Sequence, residues 1–184
     1  MSKSAAIATY RRFPKELFRV NSGWRVKLRP FKTNNPEAFY DIATAHEEGK
    51  RLREMKVLPK ALELDYKSPN GATLRPNTPY LQHYVARTFR GQNVIVYGVQ
   101  EGTEVPEDLI LVHEGPDREE WSLQPAREMT LDELNESITK FLLDSGSRMT
   151  REQWCKAYPK PTEPHGPNYP LPKNWRARVN PPKS

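Results

Sequence analysis

The side chains that most often carry catalysis are sparse in this chain. Its four histidines, His46, His83, His113 and His165, are scattered, and no two stand at the spacing that would turn a pair of imidazoles toward one metal. The single cysteine, Cys155, excludes an internal disulfide and a thiolate zinc cluster, and no histidine nearby would activate it. It reads as a partly buried thiol on a short helix. A glycine-rich dinucleotide fingerprint, a phosphate-binding loop and a nucleophile elbow are all missing. Three polar clusters remain. Arg19 interrupts the apolar run Leu17-Phe18-Arg19-Val20, and a guanidinium there must reach water or an anion to offset its desolvation. Ser68-Pro-Asn-Gly-Ala-Thr-Leu-Arg-Pro-Asn77 is the second cluster, and Glu119-Glu120-Trp121-Ser122-Leu123-Gln124-Pro125 the third. Each taken alone also reads as structural, and only a fold brings them together.

That fold has limited material. The chain has 184 residues, of which 36% are hydrophobic and 18 are proline, so one domain with an unpacked remainder is expected. Residues 1–13 read as a flexible polar arm, residues 14–157 carry the periodic patterns, and residues 158–184 form a proline-rich basic tail. No apolar run is long enough to span a bilayer, so no membrane partner is expected. The lack of disulfides fits a reducing compartment and a cytoplasmic site of action. The formal charge of +6 favours an anionic partner, and its densest stretch runs from Tyr10 to Lys32, where eight cations face Glu16 alone.

Within residues 14–157, Glu16–Val20 and Trp24–Leu28 read as strands joined by the turn Asn21-Ser22-Gly23. Asn35-Pro36 then opens a helix whose stripe runs through Phe39, Ile42, His46, Gly49, Leu52 and Met55. Residues 57–79 read as a long connection, followed by a short helix over Tyr80–Arg87. Asn93–Tyr97 and Leu109–Val112 are continuous apolar runs that predict central strands, and Trp121–Pro125 predicts another. Thr130-Leu-Asp-Glu133 is a capping box that opens a helix with Leu131, Leu134, Ile138, Phe141 and Leu142 on one face, ending at Gly146. Thr150-Arg-Glu-Gln153 repeats the signal for a last short helix. This order predicts an α+β fold.

Gly102-Thr-Glu-Val-Pro-Glu-Asp-Leu109, then Ser122-Leu-Gln-Pro-Ala126 and Met129-Thr-Leu131, resemble the type VI secretion exported toxin-two family. Gly71-Ala-Thr-Leu-Arg-Pro-Asn-Thr78 and Phe18-Arg19 are similar to its earlier blocks, in forms that look closer to a fungal branch than to the bacterial toxins. The likeness covers about residues 14–145. It implies an ADP-ribosyltransferase-like domain, two antiparallel sheets around a cleft with flanking helices, and NAD as substrate without a metal. It further implies that Arg19 holds the NAD pyrophosphate, that the hydroxyl of Thr73 orders the site, and that Glu120 stabilises charge at the breaking glycosidic bond. Arg75, Ser122 and Gln124 would line the NAD pocket. The chain departs from the family where Glu120-Trp121-Ser122 replaces a His-Tyr-Ser or His-Tyr-Thr triplet.

The leading expectation is therefore a toxin-family enzyme that consumes NAD and modifies an intracellular acceptor, with an immunity or binding protein among its partners. Two others stand beside it. One is a catalytically silent relative that binds a partner through its basic flank. The other is a nucleic-acid-binding module driven by charge, although the sequence lacks the aromatic-basic stacking pattern of known RNA modules.

Overall fold

The computed structural model describes residues 8–30, 42–43, 56–62, 71–115 and 119–164. It is an α+β fold in which antiparallel sheets pack against helices. One sheet has the order β11-β7-β2, with β7 (Val94–Val99) between β2 (Leu17–Ser22) and β11 (Ser147–Thr150). Successive side chains of a strand leave on opposite faces. Leu17, Tyr97 and Val99 accordingly enter the main core, whereas Phe18, Val20 and Val96 enter a second core with Leu81, Val85 and Trp154. Both faces are covered, which is why Val94–Val99 shows no polar alternation.

The other sheet has the order β1-β8-β9-β6. Its strands are β1 (Thr9–Tyr10), β6 (Ala72–Leu74), β8 (Leu109–His113) and β9 (Trp121–Pro125). Ala72, Leu74, Leu109, Leu111, Trp121 and Leu123 fill the main core from this side. Helix α2 (Leu131–Ser145) closes that core with Leu131, Leu134, Ile138, Phe141 and Leu142, the stripe its periodicity predicts. The Thr130 side chain caps α2 by accepting from Glu133 N. Helix α3 (Arg151–Ala157) carries a full reciprocal box between Thr150 and Gln153. Two short pairs complete the described strands: β10 (Met129–Thr130) with β5 (Lys56–Val57), and β3 (Arg29–Pro30) with β4 (Ile42–Ala43).

Several expectations change. Trp24–Leu28 is not a strand of the β2 hairpin, because β2 pairs with β7 instead. The Asn21 side chain donates to the carbonyls of both Gly23 and Arg25, and Gly23 at φ +76° turns the chain away. The segment then lies along α2, where Val26 N donates to Thr139 Oγ1 at 2.9 Å and Leu28 N donates to Asn135 Oδ1 at 2.8 Å. Its alternation still reports burial, since Val26 and Leu28 are inside and Arg25, Lys27 and Arg29 outside. Ile42–Ala43 forms a parallel pair where a helix was expected, and the rest of that helix, with His46, lies outside the described residues. The connection over 57–79 contains β6, so Thr73 is a strand residue. Thr9–Tyr10, placed with the arm by sequence, pairs with β8, and Phe13 packs its ring 5.8 Å from that of Phe141.

Candidate functional site

The two larger sheets meet through their edge strands at a single bridge. Phe18 N donates to Arg75 O at 2.7 Å and Arg75 N returns to Phe18 O at 2.8 Å. Phe18 precedes Arg19 on β2, and Arg75 follows directly after β6, so the stitch sets two arginines side by side where the sheets part.

Arg19 is only 5% exposed. Its Nε and Nη2 donate to Asn21 Oδ1 at 3.3 and 3.1 Å, and Nη1 donates to the Thr73 carbonyl at 3.2 Å. Asn21 is anchored in turn by the two carbonyls of the following turn, so the guanidinium is oriented before any ligand arrives. Arg75 Nη2 pairs with Glu120 Oε1 at 3.2 Å, with both side chains largely buried. The Arg75 guanidinium lies 4.6 Å from the Tyr80 ring centre and 5.9 Å from that of Tyr84, two rings stacked on each other at 5.9 Å.

Those aromatics come from α1 (Pro79–His83) and the π-helical turn Tyr84–Thr88 that continues it. Pro79 opens α1, and Thr78 caps it by accepting from Leu81 N. The same Thr78 hydroxyl donates to Glu119 Oε2 at 2.7 Å. One threonine thus ties the helix that carries Tyr80 to the segment that carries Glu120. In α1, burial followed by the nearby charge of Arg87 holds His83 below its ordinary value. Burial raises Glu16 above the usual carboxylate range, and its hydrogen bond with Tyr158 partly opposes that rise.

Arg19, Thr73, Arg75 and Glu120 line one cleft of about 760 Å³, together with Tyr80, Tyr84 and Phe89. Ser122 and Gln124, expected in the same pocket, do not line it. Ser122 Oγ donates to Glu114 Oε1 at 2.5 Å, and Gln124 Nε2 donates to Glu114 Oε1 at 3.2 Å and to Ser122 Oγ at 2.8 Å. All three are buried, Ser122 and Gln124 on the β9 face that points away from the main core and Glu114 just past the end of β8. Sequence reasoning missed Asn21, Tyr80 and Tyr84, whereas the basic stretch it marked from Tyr10 to Lys32 supplies Arg25, Lys27 and Arg29 to one side of the cleft. Among the described residues its lining includes Arg19, Arg25, Lys27, Arg29, Arg75 and Arg90 against one acid, Glu120. The signal was present in the alternation of Arg25, Lys27 and Arg29 with buried residues. Among the described residues, no group of three His, Cys, Asp or Glu side chains is arranged to hold a metal, and no helix is long and apolar enough to cross a membrane.

A phosphate-sized anion would meet two pre-oriented guanidiniums here, with aromatic rings beside them and one carboxylate across from them. Comparison with curated proteins and with solved structures returns no significant match. A family model for Tse2 ADP-ribosyltransferase toxins does match, over residues 15–154, and this span takes in every described residue of the cleft lining. The chain is therefore a member of the Tse2 ADP-ribosyltransferase toxin family, a toxin with an ADP-ribosyltransferase-like fold.

Proposed function

We propose that the cleft binds NAD and that the protein acts as an NAD-consuming ADP-ribosyltransferase toxin on an intracellular target. The observation that carries this reading is the convergence of Arg19, Thr73, Arg75 and Glu120 on one cleft from β2, β6 and the segment before β9. A volume of about 760 Å³ falls within the usual range for cofactor-sized pockets. Arg19, oriented by Asn21, binds the pyrophosphate through its planar fork. Tyr80 and Tyr84 offer faces for a ring of the dinucleotide.

In the transfer, the bond between ribose C1′ and the nicotinamide nitrogen breaks, and its electron pair leaves with nicotinamide as a neutral base. Positive charge develops on the ribose. Glu120, held by Arg75 at the cleft wall, supplies a carboxylate whose position is fixed before that charge appears. The acceptor oxygen or nitrogen then bonds to C1′ and releases its proton.

Induced expression of the wild type beside Arg19→Ala and Glu120→Ala, with cellular NAD followed throughout, tests this reading. Growth arrest with falling NAD in the wild type, relieved in both variants, is the expected result. Arrest that persists in Arg19→Ala with NAD unchanged would overturn it.

A further inference from the structure

The cleft carries more positive charge than one dinucleotide uses. Arg19 and Arg75 already provide two cations at its floor, where both are largely buried. Arg25, Lys27 and Arg29 are a separate, exposed row on the same cleft, and exposed Arg90 lies on its lining too. Among the described residues, none of these four side chains has an acidic partner.

The row is built rather than incidental. Val26 and Leu28 are buried, and their backbone amides are fixed on α2 by Thr139 and Asn135. Pinning these alternate residues forces Arg25, Lys27 and Arg29 outward on one side. Two residues of extended chain span at most about 7 Å, so the three cations form a file up to about 14 Å long. Aromatic faces accompany it. Trp24 is 46% exposed with the Arg25 guanidinium 4.6 Å from its ring centre, while Tyr84 and Phe89 line the cleft. A file of cations on alternate residues beside exposed Trp24 and the half-buried rings of Tyr84 and Phe89 matches a single-stranded polyanion whose bases stack on side chains. An acidic peptide would use the charges and leave the rings idle.

We infer that the Arg25–Lys27–Arg29 row, with Trp24 and the aromatic wall of the cleft, is a docking surface for single-stranded nucleic acid. The cation row and Trp24 are distinct from the NAD-binding residues Arg19 and Glu120, with Tyr84 shared between the two surfaces, so either assignment can fail without the other. Neutralising three phosphates of a single strand gives a salt slope of about −2, which means about 20-fold weaker binding between 50 and 200 mM salt.

The test is fluorescence anisotropy of a labelled twelve-nucleotide uridine oligomer with the full chain, its Lys27→Ala/Arg29→Ala variant and its Trp24→Ala variant. The exposed positions leave the core untouched, and matching thermal melts confirm equal folding. Wild type is expected to show the slope of about −2, the double variant a slope of about −0.7, and Trp24→Ala a loss of at least about fivefold with the slope unchanged. Binding unchanged in the double variant would overturn the inference. So would loss of binding in that variant with none in Trp24→Ala while a twelve-residue polyglutamate displaces the oligomer equally well, since the row would then serve an acidic protein. NAD titrated into the same variants separates this outcome from failure of the NAD site, because neither variant removes Arg19 or Glu120.

Discussion

Arg19 illustrates what a single anomalous residue tells. A guanidinium inside an apolar strand is costly, and the structure shows how the cost is offset: Asn21 Oδ1 and the Thr73 carbonyl accept hydrogen bonds from it. Charge-assisted hydrogen bonds contribute about 1.5–3 kcal/mol, so Arg19→Lys, which keeps the charge and loses the fork, is expected to weaken NAD binding by roughly 10- to 100-fold. Glu120→Gln keeps the volume and a hydrogen-bonding partner for Arg75 but removes the negative charge. It should leave NAD affinity within about threefold while slowing nicotinamide release by about 100- to 1,000-fold, the range typical for one charge-stabilising group. Steady-state kinetics separate the two effects, since the first substitution moves KM and the second moves kcat. Arg19 was legible in the sequence because its type contradicts its neighbours. The surroundings of Ser122 and Gln124 were not, because their partner Glu114 lies eight and ten positions away, just past the end of the adjoining strand, and only the β8–β9 register brings it close.

At the scale of elements, α2 and β9 were readable because each is decided locally, by a helical stripe with a capping threonine and by a short β-rich run. Trp24–Leu28 misled because alternation reports which side chains are buried, whereas strand pairing depends on where backbone amides find partners, and here α2 side chains supply them. Strand β6 was hidden in a long connection, yet one glycine governs it. Gly71 has φ +119°, and a Cβ there would sit 2.4 Å from the Leu123 carbonyl oxygen. Gly71→Ala is expected to destabilise the fold by about 3 kcal/mol or more and to disturb Thr73 and Arg75 with it, as read from urea midpoints and NAD affinity. Helix α1 carries a pH dependence of its own. The folded pKa of His83 lies below the ordinary 6.5, so the unfolded chain takes up the proton first as pH falls. Its contribution is whole above pH 6.5 and is lost as pH drops through the lowered folded value. His83→Leu should therefore lose less stability than the wild type between pH 7.5 and 5.5. Comparing wild type with variant cancels the opposite trend from Glu16, whose raised value makes stability fall as pH climbs above 4.5.

For the molecule as a whole, the segment after α3 is part of the body at its start. Tyr158 packs against Phe18 and Trp154, and its carbonyl accepts from Gln82. Asn77 accepts from the amides of Thr162 and Glu163 and donates to Lys160 O, while Lys15 pairs with Glu163. These contacts brace the start of α1 from behind. A chain ending at Ala157 is expected to be about 3 kcal/mol less stable, or about 6–12 °C lower in Tm, than one ending at Pro164. The composition marked this region as proline-rich, but which residues dock could not be read from it, because partners such as Asn77 and Gln82, and Lys15 and Phe18 earlier still, are far away in sequence.

The most direct measurement for the central claim is NAD titrated into purified wild type, Arg19→Ala and Glu120→Gln by calorimetry, with released nicotinamide quantified in the same samples. The account predicts saturable binding in wild type and Glu120→Gln, loss of binding in Arg19→Ala, and nicotinamide release that is about 100- to 1,000-fold slower in Glu120→Gln than in wild type. Equal NAD binding by wild type and Arg19→Ala, or no binding by the wild type at millimolar NAD, would contradict it.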